Sequence, residues 1–405
     1  MRIGLFTDTY PPHINGVATS VCMLKTALEK MGHQVFLVTV NPDKMKYVYE
    51  DGGKTIKIPG LPVGIYDYRL SGIYPIRIIN KIKKWKLDVI HSHTEFGIGT
   101  FARLISKQLN IPLVHTYHTM YEDYVHYITH GYFDKSSKKL VEYLTLFYCD
   151  TTANELIVPT KKTWDLFKEK YKFEKDIYIV PTGIEIERFY KEKIKTSDIL
   201  EIYKRLGISK NDFVMLFVGR LGKEKNIDFL IDCHKDLLNS IPNLKFIIIG
   251  GGPEEEYYKK RVQKLKLADS IIFTGMVPWV DVPKYYQLAS IFVTASKTET
   301  QGLTVIEAMA AGVAPVCIDD ESFTTTVIDG LNGKIFKNKK EFKNIVISLY
   351  NDNKLLKNLS KQARINAELH SSTHYAESVL NVYKHAIDNK KGRFGLMSSL
   401  FKRKK

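Results

Sequence analysis

The chain has 405 residues, 44% of them hydrophobic and 26% charged, which suits a soluble globular protein of two ordinary domains. Four scattered cysteines without a C-x-x-C pair predict neither a disulfide framework nor a thiolate metal site, and point to a reduced cytosolic setting. No segment nears the ~20 apolar residues of a membrane span, the start MRIGLFTDTY is no signal peptide, and the net charge of +16 asks for an anionic partner.

In chain order, Met1–Phe6 predicts a buried strand, Gly16–Met31 a helix with apolar positions at Val17, Val21, Leu24 and Leu28, and Gln34–Val40 a second strand. After Pro75, Ile76, Ile79, Ile82 and Trp85 fall three apart, so an amphipathic helix is expected there. Asp88–His93, Pro112–Thr119 and Ile177–Gly183 are short apolar strands ending in polar residues. Around Lys191–Ser209 the chain turns charged and less periodic. The alternation then restarts with strands at Phe213–Arg220, Lys245–Pro253, Ile271–Gly275, Ile291–Ser296 and Ala314–Asp319, separated by helices. This β/α alternation implies an α/β fold of two open parallel-sheet domains, divided near residue 190. The expected organisation is a first domain over 1–190 and a second over 191–370. A helix over 371–389 would pack back on the first domain, and a basic amphipathic tail would occupy 390–405.

Two segments concentrate the positive charge. Residues 390–405 carry seven Lys/Arg and no acid, with Leu396, Met397, Leu400 and Phe401 as an apolar stripe. Residues 69–86 hold six Lys/Arg and no acid. A solvated tail and a surface helix packed on a sheet are the ordinary readings of such segments. Two of them in one chain favour a peripheral anionic membrane surface, with Arg77, Lys81, Lys84, Trp85, Phe394, Leu400, Phe401, Lys402 and Arg403 as the contact residues. Nucleic acid ranks below, because nothing resembles a zinc finger, an RNP aromatic pair or a recognition helix.

Open parallel sheets bind ligands at the carboxyl ends of their strands. The unusual residues collect there: His91 to His93, His115 to Thr119, Gly219-Arg220, Gly250 to Gly252, and Ser296 to Glu299. In YPPHINGV, Gly16 opens the first helix, where backbone N–H groups and the helix dipole favour an anion. The pattern is not G-x-G-x-x-G, which argues against a dinucleotide site. In GRLGKEKN, Arg220 and Lys225 could converge on one diphosphate, one as a fork and one as a point charge. Glu299 and Glu307 bracket the helix start in ETQGLTVIE. Ionised carboxylates accept vicinal hydroxyl pairs, and the N–H groups of Gly302, Leu303 and Thr304 could face a phosphate or sugar between them. An acid/base couple for glycoside hydrolysis is the lesser reading, since it needs no cationic clamp.

Together these motifs resemble the retaining glycosyltransferases of the two-domain GT-B architecture, the fourth family in common groupings. The markers are Asn15-Gly16-Val17 after Pro11-Pro12, Val180–Glu185, Gly219-Arg220 with Lys225, Gly250–Pro253, and Glu299 with Glu307. The resemblance covers Met1 to about Asp388. The stretch His115–Phe133 looks like the bacterial diacylglycerol glucosyltransferases within that family. What the resemblance implies is two Rossmann-like domains facing across a cleft. Gly16 would meet the donor pyrophosphate, His118 the transferred sugar, Arg220 and Lys225 the diphosphate, Glu299 the sugar hydroxyls and Glu307 the ribose. Thr300-Gln301-Gly302 stand where glutamate-phenylalanine-glycine is common in the family, which is read as a tuning of sugar choice.

The implied reaction moves a hexose, glucose from UDP-glucose, to diacylglycerol or a related lipid with retention, on the inner face of the cell membrane. No metal is expected to be required, because Arg220 and Lys225 fill that role, and Mg2+ would at most stimulate. The partners are then a nucleotide sugar, a lipid acceptor and an anionic surface, and no nucleic acid. A soluble acceptor, a nucleotide-sugar epimerase and a non-catalytic basic scaffold stand as rivals.

Overall fold

The computed structural model describes residues 1–13, 15–62, 69–118, 149, 152–296, 299 and 301–402, with 391–402 as backbone. Two compact units emerge, one formed by Met1–Gly183 with Ser372–Lys405 and one by Ile184–Ser371. The division expected near residue 190 therefore lies at Gly183/Ile184. The charged stretch Lys191–Ser209 belongs wholly to the second unit, where Ile202 and Ile208 join its core. Charge on the exposed side of a helix had masked a packed face.

In the first unit the strands are β1 (Arg2–Phe6), β2 (Gln34–Val40), β3 (Val48–Glu50), β4 (Thr55–Ile58), β5 (Gly60–Pro62), β6 (Arg69–Ser71), β7 (Val89–Ser92), β8 (Leu113–Thr116), β9 (Glu155–Val158) and β10 (Ile177–Ile179). Eight of these form one sheet in the order β10-β9-β8-β7-β1-β2-β4-β3, and β5 pairs with β6. The large sheet is parallel except at its β3 edge. Its central strands are buried on both faces, which is why they read as unbroken apolar runs. On one face pack Val21, Leu24 and Leu28 of the helix Gly16–Lys30 with Tyr375, Val379 and Tyr383 of the C-terminal helix Ser372–Lys402. Ser20 and Tyr375 share a hydrogen bond of 3.1 Å there. On the other face lie Ile78, Ile79, Ile82 and Trp85 of the helix Ile76–Trp85, with Phe101 and Ile105 of the helix Gly97–Leu109.

The second unit holds β11 (Phe213–Val218), β12 (Leu244–Ile249), β13 (Ile271–Gly275), β14 (Ile291–Thr294), β15 (Ala314–Ile318) and β16 (Lys334–Phe336), all parallel, in the order β13-β12-β11-β14-β15-β16. Both sheets wind outward in two directions from a switch point, between β1 and β7 in one and between β11 and β14 in the other. Crevices open at the carboxyl ends of strands at such points. That topology positions the sites described next.

The helix Ile76–Trp85 corrects one expectation. Trp85 is only 5% exposed and stacks on Phe36 at 4.9 Å between ring centroids, so it belongs to the core and not to a membrane face. Burying each such apolar side chain contributes roughly 1.5–3 kcal/mol, too much for this stripe to turn outward. Arg77 and Lys84 stay on the exposed side, with Lys81 half-buried against Tyr49. At the carboxyl terminus one helix continues from Ser372 to Lys402, through the segment expected as a separate tail. Phe394, Leu400, Phe401 and Lys402 lie on its backbone, and Arg403 falls outside the described residues. So do Thr300 and residues 119–133 of the stretch His115–Phe133. Among the described residues no helix is long and apolar enough to cross a membrane.

Candidate active site

In the second unit the switch point assembles ions from two separate loops. The loop after β11 carries Arg220 and Lys225, and the segment after β14 carries Glu299. Lys225 donates a hydrogen bond to the Glu299 carboxylate, although 73 residues separate them in the chain. Arg220 pairs with Glu224 inside its own loop. Lys225 and Glu299 keep 16% and 24% of their side-chain surface, so the pair is screened from bulk water yet reachable. Burial pushes the Glu299 carboxyl up, but the charge and hydrogen bond of Lys225, with a further bond from Ser296, hold it below the usual range. Glu299 therefore stands ionised at neutral pH.

The loop carrying Arg220 is fixed by the glycines after β12. A Cβ on Gly250 would lie 1.9 Å from the Gly219 carbonyl oxygen, so only glycine permits this approach. Backbone bonds Leu221 N to Gly251 O and Glu254 N to Leu221 O, both 3.0 Å, lock the two loops together. The triple glycine thus supports the cation loop. Gly302 caps the helix Leu303–Ala310 in a left-handed conformation, φ 72°, and a Cβ there would meet Phe323 at 2.5 Å. Leu303 and Thr304 lie half-buried at the first turn of this helix.

Glu307 sits on the same helix in a different environment. Burial pushes its carboxyl up to about 7, against a hydrogen bond from Tyr286 and the charge of Arg188. The Tyr286 hydroxyl lies 2.8 Å from Glu307 Oε2 and 3.2 Å from the Thr304 carbonyl. Arg188 stacks 3.1 Å from the Trp279 ring centre and donates to the Trp279 carbonyl at 2.9 Å. Two carboxylates eight positions apart thus have opposite proton affinities, set by one lysine and by one dry pocket.

In the first unit, β7 and β8 end in a nest of imidazoles. His91 bonds the Tyr383 and Thr116 hydroxyls, each at 2.7 Å. His115 bonds Glu95 at 3.0 Å, and His93 Nδ1 lies 3.0 Å from His118 Nε2. Burial lowers His118 to about 4, with Glu95 opposing and His115 adding to the fall, and burial likewise holds His93 well below the usual imidazole range. Both rings are neutral at pH 7. Asp8, after β1, accepts from Thr94 at 2.5 Å and from the Ile98 N–H at 2.9 Å, and so heads the helix Gly97–Leu109. Gly16 opens its own helix, with Asn15 accepting from the Ala18 N–H at 2.9 Å, and the space beside it is open. No hydrogen bond joins Gly16 to His118 among the described residues.

The structure thus joins Lys225 to Glu299 directly and puts Arg220 in the same loop, while Glu307 answers to Tyr286 and Arg188. Sequence reading missed Glu224, Tyr286, Arg188, His93 and Glu95 as supports of these groups. Glu224 in KEK looks like a solvated charge, and Tyr286 and Arg188 look like ordinary helix and loop residues. Only His93, at a strand end beside another histidine, carried a signal. Among the described residues no group of ligating side chains could hold a metal ion.

Residues 14–188 match the family described as Glycosyltransferase Family 4, and residues 198–366 match Glycosyl transferases group 1. The chain is 37% identical over 399 residues to the alpha-monoglucosyldiacylglycerol synthase of Acholeplasma laidlawii, covering 96% of this chain and 99% of that protein. It is also 37% identical to the synthase of the same name from Streptococcus pneumoniae, covering 83% of this chain and 75% of that one. Among solved structures, the sucrose-phosphate synthase of Thermosynechococcus elongatus superposes with a TM-score of 0.75 at 18% identity, over 96% of this chain and 99% of that one. Anabaena HepE in complex with UDP and glucose gives 0.69 at 17% identity, over 95% and 99%. At such identities these structures speak for the shared GT-B fold alone.

Proposed function

The chain belongs to glycosyltransferase family 4, and from that premise we propose that it transfers glucose from UDP-glucose to the hydroxyl of diacylglycerol with retention at the anomeric carbon. The observation that carries the reading is the Lys225–Glu299 pair beside Arg220 at the β11/β14 switch point. Two cations suit a leaving diphosphate, whose growing charge they offset as the glycosidic bond breaks. The ionised Glu299 accepts hydrogen bonds from sugar hydroxyls, Glu307 accepts from the ribose pair, and the helix start at Gly302 to Thr304 offers N–H groups between them. In the first unit, Gly16 and His118 are the proposed contacts to the pyrophosphate and to the transferred sugar. The charge of Lys225 and Arg220 serves the leaving group without a required metal, Mg2+ acting at most as a stimulant.

The acceptor follows from the likeness to the two monoglucosyldiacylglycerol synthases. Incubation with UDP-glucose, UDP-galactose or GDP-mannose and dispersed diacylglycerol tests it directly. The expected product is one α-glucosyl diacylglycerol from UDP-glucose. An epimerised nucleotide sugar, or glucose transferred only to soluble glycans, would overturn this assignment.

An anionic leaflet on the cytoplasmic side is the proposed platform. In support, a groove of about 530 Å3 beside the helix Ile76–Trp85 is lined by Met45, Leu61, Leu70, Tyr74, Ile76 and Arg77. Leu61 and Ile76 are 63% and 73% exposed, and residues 69–86 carry six Lys/Arg and no acid. Reversing Arg77, Lys81 and Lys84 to glutamate, together with deletion of 390–405, is expected to abolish flotation with phosphatidylglycerol vesicles. UDP binding should stay intact. Flotation equal to the parent protein would discard the platform.

A further inference from the structure

We propose that His93 is a positioning residue that fixes His118 in the tautomer protonated on Nδ1, so that His118 offers a neutral N–H donor to the transferred sugar. The inference rests on the placing of His118 at the donor sugar, and goes beyond it by naming what sets its proton.

His93 is 1% exposed, and its ring lies between two others. His91 lies tilted against it, 3.9 Å between centroids with 38° between the planes, and His118 lies at 5.3 Å with 24° between the planes. The single polar contact is the 3.0 Å approach of His93 Nδ1 to His118 Nε2, and His93 Nε2 has no hydrogen-bonding partner among the described residues. Two neutral imidazoles in contact must divide the roles, one giving a proton and one accepting it. If His118 Nε2 gave the proton, His93 would have to carry its own on Nε2, as a buried N–H with no acceptor among the described residues. If His93 Nδ1 gives it, the orphan on Nε2 is a bare lone pair. A buried orphan N–H is the costlier of the two. The second arrangement therefore prevails, and it leaves His118 with its proton on Nδ1.

His91 cannot take over this role. Both of its nitrogens are occupied, by Tyr383 and Thr116. Its part is to hold the His93 ring plane. Neutrality of His118 matters for the reaction. As the diphosphate departs, positive charge grows at the anomeric carbon, and an imidazolium beside it would oppose that growth. A neutral N–H orients a sugar hydroxyl without that penalty.

Asparagine and glutamine separate this role from simple packing, because the asparagine amide falls where Nδ1 of histidine stood and the glutamine amide where Nε2 stood. His93→Asn is expected to keep kcat within about threefold of the parent, and His93→Gln to lose roughly tenfold to a hundredfold, with the KM for UDP-glucose little changed in both. Long-range 1H–15N spectra of the parent protein, with His118→Ala to assign the ring, should show His118 protonated on Nδ1. An Nε2-protonated His118 overturns the proposal whether or not the variants fold. Equal kcat in the two His93 variants does so as well. The His118→Ala protein separates the premise, since normal turnover there removes the sugar assignment of His118 itself and the role of His93 with it. Impaired His118→Ala with equal His93 variants removes the His93 role alone.

Discussion

Replacing Lys225 with alanine is expected to lower kcat for glucose transfer about 10²- to 10³-fold, the cost of removing one preorganised group from a developing oxyanion. The loss has two parts. The leaving diphosphate gives up a cation, and Glu299 gives up the partner whose charge and hydrogen bond keep its half-buried carboxyl ionised. Without Lys225, burial raises the Glu299 carboxyl, and a protonated Glu299 accepts sugar hydroxyls poorly. The two residues should therefore fail as a unit. Glu299→Gln alone should cost a comparable factor, and the double variant far less than the product of the two. Initial rates with labelled UDP-glucose, alongside thermal melting to confirm folding, measure this. Multiplicative losses would show that the pair acts as two independent contacts.

The KM for UDP-glucose is expected to rise about tenfold for each pH unit below about 7, and to level off above it. This follows from Glu307, whose carboxyl is pushed up to about 7 by burial. The sign is set by which form binds. In the proposed donor site a ribose hydroxyl pair donates to the ionised carboxylate, so acid conditions would withdraw the acceptor. Tyr286→Phe removes a hydrogen bond that holds this carboxyl down, and should move the midpoint to higher pH. Glu307→Gln should weaken the donor at every pH and flatten the profile. A KM profile with the same midpoint in parent and Glu307→Gln would assign the titration to another group.

The fold was legible because each β/α pair announces itself locally. Runs such as FVMLFV are buried on both faces by helices that carry their own apolar stripes, and those patterns survive in one dimension. The sequence could not tell whether the apolar stripe of the helix Ile76–Trp85 packs on Phe36 or turns outward, since it looks the same in either place. It set the domain boundary near residue 190, whereas the second unit begins at Ile184, with Ile184, Ile186 and Phe189 already in its core. The site divides along the same line. Arg220, Lys225, Glu299 and Glu307 stand out as charges at strand ends and a helix start, so the sequence by itself determined the chemistry they could do. Which of them is ionised, and which nitrogen of His118 bears the proton, was decided only by tertiary structure. Proton affinity in a dry site depends on neighbours a few ångströms away, and Lys225 reaches Glu299, as Tyr286 reaches Glu307, across stretches of chain that no local pattern spans.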